Sequence, residues 1–85
     1  MSEFVDAFRA LGDPTRQRLL ALMENAGESR VSDLAEQFEM TQPSISNHLK
    51  VLRQAGLVTA TRRGKEIYYA IEEAELARCC GVFFS

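Results

Sequence analysis

Apolar residues recur at helical spacing along this 85-residue chain as far as Gly56, alternate with polar residues over 57–71, and return to helical spacing from Glu72. A period of about 3.6 residues is typical of a helix with one buried face, and a period of about 2 is typical of a half-buried strand. The alternating part contains LVTATRR and EIYYAI around the turn RGK, which indicates a β-hairpin. The pattern therefore predicts a mainly α fold with a β-hairpin, in the order α-α-α-α-β-β-α.

Capping residues divide the helical parts of the chain. An N-cap side chain accepts a hydrogen bond from the first turn of a helix, and glycine favours the chain reversal that ends one. The predicted N-caps are Ser2, Asp13, Ser32 and Thr41, and the predicted stops are Gly12, Gly27 and Gly56. The predicted helices cover 2–11, 13–26, 32–40, 42–55 and 72–85, and ESR between the second and third helices is predicted to be a connector.

Two short predicted helices, 32–40 and 42–55, are separated only by a tight turn at Met40–Thr41. This arrangement is typical of a helix-turn-helix, in which the second helix enters the DNA major groove. Ile45, Leu49 and Leu52 follow the i, i+4, i+7 spacing of a buried stripe. The outward positions carry side chains that suit base edges and phosphates, namely Gln42, Ser44, Ser46, Asn47, Lys50 and Arg53.

The charge of the chain is unevenly distributed. Its net charge is −2, with residues 1–40 at −4 (eight acids, four bases) and 66–85 at −3 (four acids, one base), whereas 41–65 carry five bases and no acid. Since charges are screened beyond about 10 Å at moderate salt, the local sign matters more than the mean. The basic hairpin tip beside the second helix of the motif is typical of a DNA-binding wing, and its charged residues are Arg62, Arg63 and Lys65.

The stretch TQPSISNHLK, residues 41–50, has competing interpretations. A polar helix face is often simply solvated. Catalysis by a serine and His48 would need an orienting carboxylate and an oxyanion-hole loop, which the sequence does not indicate, so we expect no enzyme. His48 is the only histidine, without a neighbouring cysteine or acid, which disfavours a metal site. The basic hairpin favours DNA binding over a solvated face or a protein-interaction module, and His48 either donates to phosphate or packs under the wing.

Three segments carry a resemblance to a known family: FRALGDPTRQRLLALM, VSDLAEQFEMTQPSISNHLKVLRQAGLV and RRGKEIYYAI. They resemble the ArsR-type (ArsR/SmtB-like) winged helix-turn-helix repressors, and the match covers almost the whole chain. A chain of 85 residues is expected to form a single domain, 1–85. The resemblance implies a homodimeric bacterial repressor that binds a palindromic double-stranded DNA operator, often in its own promoter. The family's DNA contacts carry over to Gln42, Ser44, Ser46, Asn47, His48 and Lys50 on the helix, and to Arg62, Arg63 and Lys65 on the wing.

The terminal helices, 2–11 and 72–85, also favour a dimer. A domain of this size cannot cover the large apolar groups at its two ends, whereas a second copy can do so by a two-fold contact. The predicted interface residues are Phe4, Phe8, Leu76, Cys80, Phe83 and Phe84. The symmetry would place two recognition helices about 34 Å apart. The alternative is that these residues complete an intramolecular core.

Sensing by a metal ion or thiol is a separate question. The family's cysteine box would lie where this chain reads VSDLAE, and the last helix, EEAELARCCGVFFS, contains no histidine. We therefore expect no cofactor and no metal site. The alternative is a response to arsenite, a soft metal or an oxidant through Cys79 and Cys80. Adjacent helical residues point about 100° apart, which favours packing over a shared site.

The chain contains no apolar run of the ~20 residues that a membrane-spanning helix needs. Its N-terminal stretch MSEFVDAF lacks the basic and apolar regions of a signal peptide. The two cysteines are adjacent, which is unlike the cysteine spacing of a secreted disulfide scaffold. We therefore expect a cytoplasmic protein without a membrane partner.

Overall fold

The computed structural model describes residues 4–84 and the side chains of residues 4–81. The helices are α1 (Val5–Leu11), α2 (Pro14–Ala26), α3 (Val31–Phe38), α4 (Gln42–Gln54) and α5 (Glu73–Phe84). The strands are β1 (Ser29–Arg30), β2 (Val58–Arg63) and β3 (Glu66–Ile71). The predicted mainly α fold and its β-hairpin are confirmed, and the structure adds the short strand β1.

Two predicted caps are confirmed by hydrogen bonds to the first helical turn. The Asp13 carboxylate accepts from the backbone N–H of Arg16 at 3.1 Å, with Pro14 at the first position of α2. The Thr41 hydroxyl accepts from the backbone N–H of Ser44 at 3.3 Å. Ser2, predicted to cap the first helix, lies outside the described residues. Both α2 and α4 therefore begin where the sequence predicts.

The predicted cap at Ser32 is wrong. Helix α3 begins one residue earlier, at Val31, with Arg30 as its N-cap in an extended conformation. The Arg30 guanidinium donates to both carboxylate oxygens of Asp33, at 3.0 and 3.1 Å. This forked ion pair across the first turn stabilises the helix start where a serine side chain was expected to do so.

The segment ESR is not a simple connector, because Ser29 and Arg30 pair with the hairpin. In antiparallel register, Ser29 lies opposite Tyr69 and Arg30 opposite Tyr68. The sheet order is β1-β3-β2, so β3 is its central strand. A strand of two residues is too short to show an alternating pattern, which is why the sequence did not reveal it. The hairpin is consequently attached to the start of α3.

The hairpin ends in a two-residue loop. Arg63 pairs with Glu66, and Gly64 has φ 63°, which the first loop position of a type II′ turn requires. Tyr69 is buried, whereas Ile67, nearer the tip, is 41% exposed although both were predicted to lie on one apolar face. Residues 61–67 are all exposed, and Ile67 is not among the residues that pack on the apolar core. The hairpin is thus anchored at its base and exposed at its tip.

The helices and the sheet enclose one apolar core. The predicted stripe of Ile45, Leu49 and Leu52 has no exposed surface, which confirms the orientation of α4. The other large residues that are fully buried are Leu19, Met23, Leu34, Leu57 and Cys79. None of the helices among the described residues combines the length and the apolar composition that a membrane-spanning segment needs.

The Arg30–Asp33 ion pair makes stability depend on pH. Its hydrogen bonds hold the pKa of the Asp33 carboxyl below the ordinary value of 3.8. Because the folded-state pKa is the lower one, the contribution is complete above the unfolded-state value and is lost as pH falls through the folded-state value. We expect Asp33→Asn to lower the urea midpoint at neutral pH, and the difference from wild type to shrink below about pH 4.

The matched control is Glu36→Gln, on the exposed surface of the same helix. It should change the urea midpoint little at either pH. A difference between wild type and Asp33→Asn that stays constant down to about pH 3 would show that the carboxylate charge is not what stabilises the helix start.

Candidate nucleic-acid interface

Helix α4 has one buried face and one polar face. Ile45, Leu49 and Leu52 hold the helix against the core. On the other side the predicted contact residues divide by exposure, with Gln42, Asn47, Lys50 and Arg53 exposed and Ser44 and Ser46 half-buried. Among the described residues, neither Lys50 nor Arg53 forms an ion pair, so both charges are available to a partner.

A short reversal of the chain separates α3 from α4. Glu39 ends α3 in the left-handed region, with φ 53°, a conformation that costs a non-glycine residue some strain. The backbone N–H of Met40 donates to the Ala35 carbonyl at 3.4 Å, and Thr41 then caps the next helix. The turn predicted at Met40–Thr41 is therefore confirmed, although the reversal itself begins at Glu39. Thr41 occupies this helix start, because its hydroxyl accepts from the backbone N–H of Ser44 and its carbonyl from that of Ile45.

The hairpin tip, residues 62–65, contains the three predicted basic residues in three different settings. Arg62 donates to the Gly64 carbonyl at 3.1 Å and so lies across the turn. Arg63 forms an ion pair with Glu28 and lies over the ring of Tyr68, with 5.0 Å from guanidinium carbon to ring centre. Lys65 is exposed and forms no ion pair within residues 4–81. The sequence did not indicate Glu28, because 35 residues separate it from Arg63.

A cleft of about 590 Å³ lies between the hairpin tip and the start of α4. It brings together residues that are far apart in sequence, including Lys65 from the tip and Gln42 and Ser46 from α4. Its remaining lining residues, none of which was predicted to contact DNA, are Val31, Ser32, Pro43, Glu66 and Ile67. The cleft joins the polar face of α4 and the basic tip into one surface.

His48 differs from the other predicted contact residues. Its side chain is 23% exposed, and its Nδ1 lies 3.3 Å from Arg16 Nη1 and 3.9 Å from Asp13 Oδ2. Both partners are at the start of α2. The ring is therefore directed in part toward the protein. These partners could not be predicted from the sequence, because they are more than thirty residues away.

Comparison with known proteins shows to which family this chain belongs. A sequence profile described as "Bacterial regulatory protein, arsR family" matches residues 13–60, more than half of the chain. The chain is 39% identical over 71 residues to the transcriptional repressor SdpR of Bacillus subtilis, which covers 84% of this chain and 78% of SdpR. The chain belongs to the ArsR family.

Other regulators of transcription are similar to the chain in sequence or in structure. The transcriptional regulator CmtR of Mycobacterium tuberculosis is 42% identical over 73 residues, covering 86% of this chain and 61% of CmtR. A homodimeric winged helix-turn-helix DNA-binding domain from Mycobacterium bovis has a TM-score of 0.84 and 29% identity, covering 95% of this chain and 75% of that one. This ArsR-family chain is therefore a winged helix-turn-helix transcriptional regulator.

The terminal helices of this ArsR-family chain expose apolar surface on α1. Phe8 is 37% exposed and Val5, three residues earlier on the same helix, is 46% exposed. Phe4, Leu76 and Cys80 are partly buried against the core. The side chains of Phe83 and Phe84, also predicted to lie in a dimer interface, are outside the described residues. Val5 was not singled out from the sequence, although it lies on the same side of α1 as Phe8.

The two cysteines on α5 occupy different environments. Cys79 has no exposed surface, and its thiol donates to the Leu76 carbonyl at 3.4 Å. Burial raises the pKa of the Cys79 thiol, which disfavours the reactive thiolate. Cys80 is partly exposed. Among residues 4–81, no three His, Cys, Asp or Glu side chains are grouped so that they could hold a metal ion.

Proposed function

We propose that this chain is a homodimeric repressor that binds a palindromic DNA operator, including one in its own promoter. The observation that carries the proposal is the single surface formed by the acid-free outer face of α4 and the basic hairpin tip across one cleft. An α-helix fits the major groove, and a hairpin beside it reaches the neighbouring backbone. SdpR, named as a repressor, supports the direction of regulation. Action on chromosomal DNA would also place the protein in the cytoplasm.

The residues of the surface would divide between sequence recognition and positioning. Amide side chains read base edges in the major groove, so Gln42 and Asn47 are proposed to read bases. Cationic side chains and hydroxyls bind phosphates, which fix the register of the protein on DNA. The proposed phosphate contacts are Ser44, Ser46, Lys50, Arg53, Arg62, Arg63 and Lys65. Glu28 would keep Arg63 at the base of the hairpin tip until a phosphate competes for the guanidinium.

The dimer is proposed to form through the two ends of the domain, 1–85. The apolar surface at Val5 and Phe8 is what a second copy would cover, and the homodimeric domain from Mycobacterium bovis supports this arrangement. A two-fold contact uses the same surface on both copies. It would set the two α4 helices about one DNA turn, roughly 34 Å, apart. Phe4, Leu76, Cys80, Phe83 and Phe84 would complete the interface.

A response to arsenite, soft metals or oxidants is not part of the proposal. This alternative came from the family resemblance, and Cys79 and Cys80 were its candidate sensing residues. The buried, hydrogen-bonded thiol of Cys79 supports a packing role. No observation favours sensing over packing.

Salt dependence tests the proposed DNA contacts. We expect the protein to shift the DNA upstream of its own gene in a gel, with an affinity that falls steeply as salt rises, because bound phosphates release counterions. Replacing Lys50 by glutamine should weaken binding to all sequences alike and reduce the slope of log affinity against log salt by about 1. Arg9→Gln, on α1, is the control and should leave the slope unchanged. An unchanged slope for Lys50→Gln would remove Lys50 from the phosphate contacts.

A further inference from the structure

Arg16 joins three helices through one side chain. Its Nε donates to the Ala10 carbonyl at 2.7 Å and its Nη2 to the Arg9 carbonyl at 3.3 Å, both in the last turn of α1. Its Nη1 lies 3.3 Å from Nδ1 of His48, in the middle of α4. Its own backbone N–H donates to the Asp13 cap of α2. The guanidinium therefore connects the helix proposed to form the dimer with the helix proposed to read DNA.

The chemistry of the two side chains determines where the His48 proton is. A guanidinium has five N–H donors and no acceptor, so its contact with Nδ1 is a hydrogen bond only when Nδ1 carries no proton. In the neutral ring the proton is then on Nε2. The nearest carboxylate oxygen, Asp13 Oδ2, lies 3.9 Å from Nδ1, beyond hydrogen-bond distance. Arg16, and not Asp13, is therefore the residue placed to select the tautomer.

The contact between Arg16 and His48 adds a directional interaction, which the apolar stripe of α4 lacks. The stripe formed by Ile45, Leu49 and Leu52 holds the helix by hydrophobic contact, which has little directional preference. A hydrogen bond from the Arg16 guanidinium, which two backbone carbonyls already hold in place, is directional. Asn47 precedes His48 directly, so a small rotation of α4 about its axis would move the proposed base-reading amide.

We propose that Arg16 and His48 are a positioning pair that sets the rotation of α4 against α1, with His48 as an Nδ1 acceptor and not as a DNA contact. The inference rests on the proposed DNA-binding function and refines the role that the family resemblance implied for His48. In each half of the dimer, the pair would transmit the position of α1 to the recognition residues.

Nitrogen-15 NMR of the free protein tests the tautomer without DNA. Because the chain contains one histidine, its two ring nitrogens are assigned without ambiguity. We expect wild type to show an unprotonated Nδ1 and a protonated Nε2 at a pH where the ring is neutral, and Arg16→Met to change both signals. Arg18→Met, which removes the next arginine on α2, should leave them unchanged. A protonated Nδ1 in wild type, or identical spectra for wild type and Arg16→Met, would overturn the proposal.

Two replacements of His48 separate positioning from DNA contact and leave Arg16 intact. The Oδ1 of asparagine occupies the place of Nδ1 and can still accept from Arg16, whereas the longer glutamine places its amide near Nε2. We expect His48→Asn to bind the operator within about twofold of wild type and His48→Gln to bind about tenfold more weakly, the size of one lost base contact. The reverse order, or equal losses, would overturn the positioning role.

The two experiments also separate this inference from the function on which it rests. If wild type binds no operator, the proposed function fails, while the NMR spectra still decide whether Arg16 selects the tautomer. If Arg16→Met does not fold, as judged by circular dichroism, the wild-type spectrum and the two His48 variants decide the question without it.

Discussion

Leu49→Ala is expected to remove a large part of the stability of the domain. Leu49 has no exposed surface and lies in the apolar core beside Ile45 and Leu52. Truncation of a buried leucine costs about 2–5 kcal/mol, because apolar contacts are lost and a cavity remains. Small domains have only about 5–15 kcal/mol in total, and short chains lie toward the lower end. Urea unfolding followed by circular dichroism measures the loss.

The matched control is Val51→Ala on the same helix, where the side chain is 37% exposed. Its truncation should change the free energy of unfolding by less than about 0.5 kcal/mol, as for most surface positions. If both variants lost the same stability, α4 would not be held by the face that contains Leu49, and its polar face would not be free for DNA. The experiment therefore tests the orientation on which the interface depends.

Asn47→Ala is expected to cost about 1–3 kcal/mol of binding free energy at one operator position, if Asn47 reads a base edge. Asn47 is exposed on α4, so the folded state should be unaffected. Binding to a set of operators that differ at single positions measures the effect. Wild type should discriminate at the position that Asn47 reads, and the variant should lose that discrimination alone.

Gln54→Ala is the control for Asn47, because Gln54 is exposed at the far end of the same helix. It should leave affinity and discrimination unchanged. Uniform weakening of Asn47→Ala on every operator variant would instead identify Asn47 as a backbone contact. The two outcomes distinguish recognition of sequence from recognition of phosphate.

The parts of the fold that were predictable are those that depend on local pattern. The stripe at Ile45 and Leu49 follows helical spacing, and the cap at Thr41 acts within one helical turn. Strand β1, in contrast, consists of two residues, Ser29 and Arg30, whose extended form depends on pairing with Tyr69 and Tyr68. Such a strand is too short to show a period, and the partner that determines its conformation is distant in sequence.

The location of the candidate DNA-binding surface was predictable from the sequence, whereas the contacts of its individual residues were less so. The acid-free segment and the basic hairpin tip indicated where a polyanion would bind, since charge and periodicity are properties of the sequence itself. The intramolecular partners of two predicted DNA-contact residues could not be predicted from the sequence. Arg63 pairs with Glu28 and His48 lies against Arg16, at separations of 35 and 32 residues. Only the packing of α2 against α4 and the position of β1 bring these groups together.

The central claim is that two copies of this chain bind one operator through α4 and the hairpin tip. A hydroxyl-radical footprint on the DNA upstream of its gene tests that claim most directly. We predict two protected segments, related by two-fold symmetry and centred about one helical turn, roughly 34 Å, apart, that weaken as salt rises. Absence of protection at low salt with protein in excess, or a single unsymmetrical protected segment, would contradict the account.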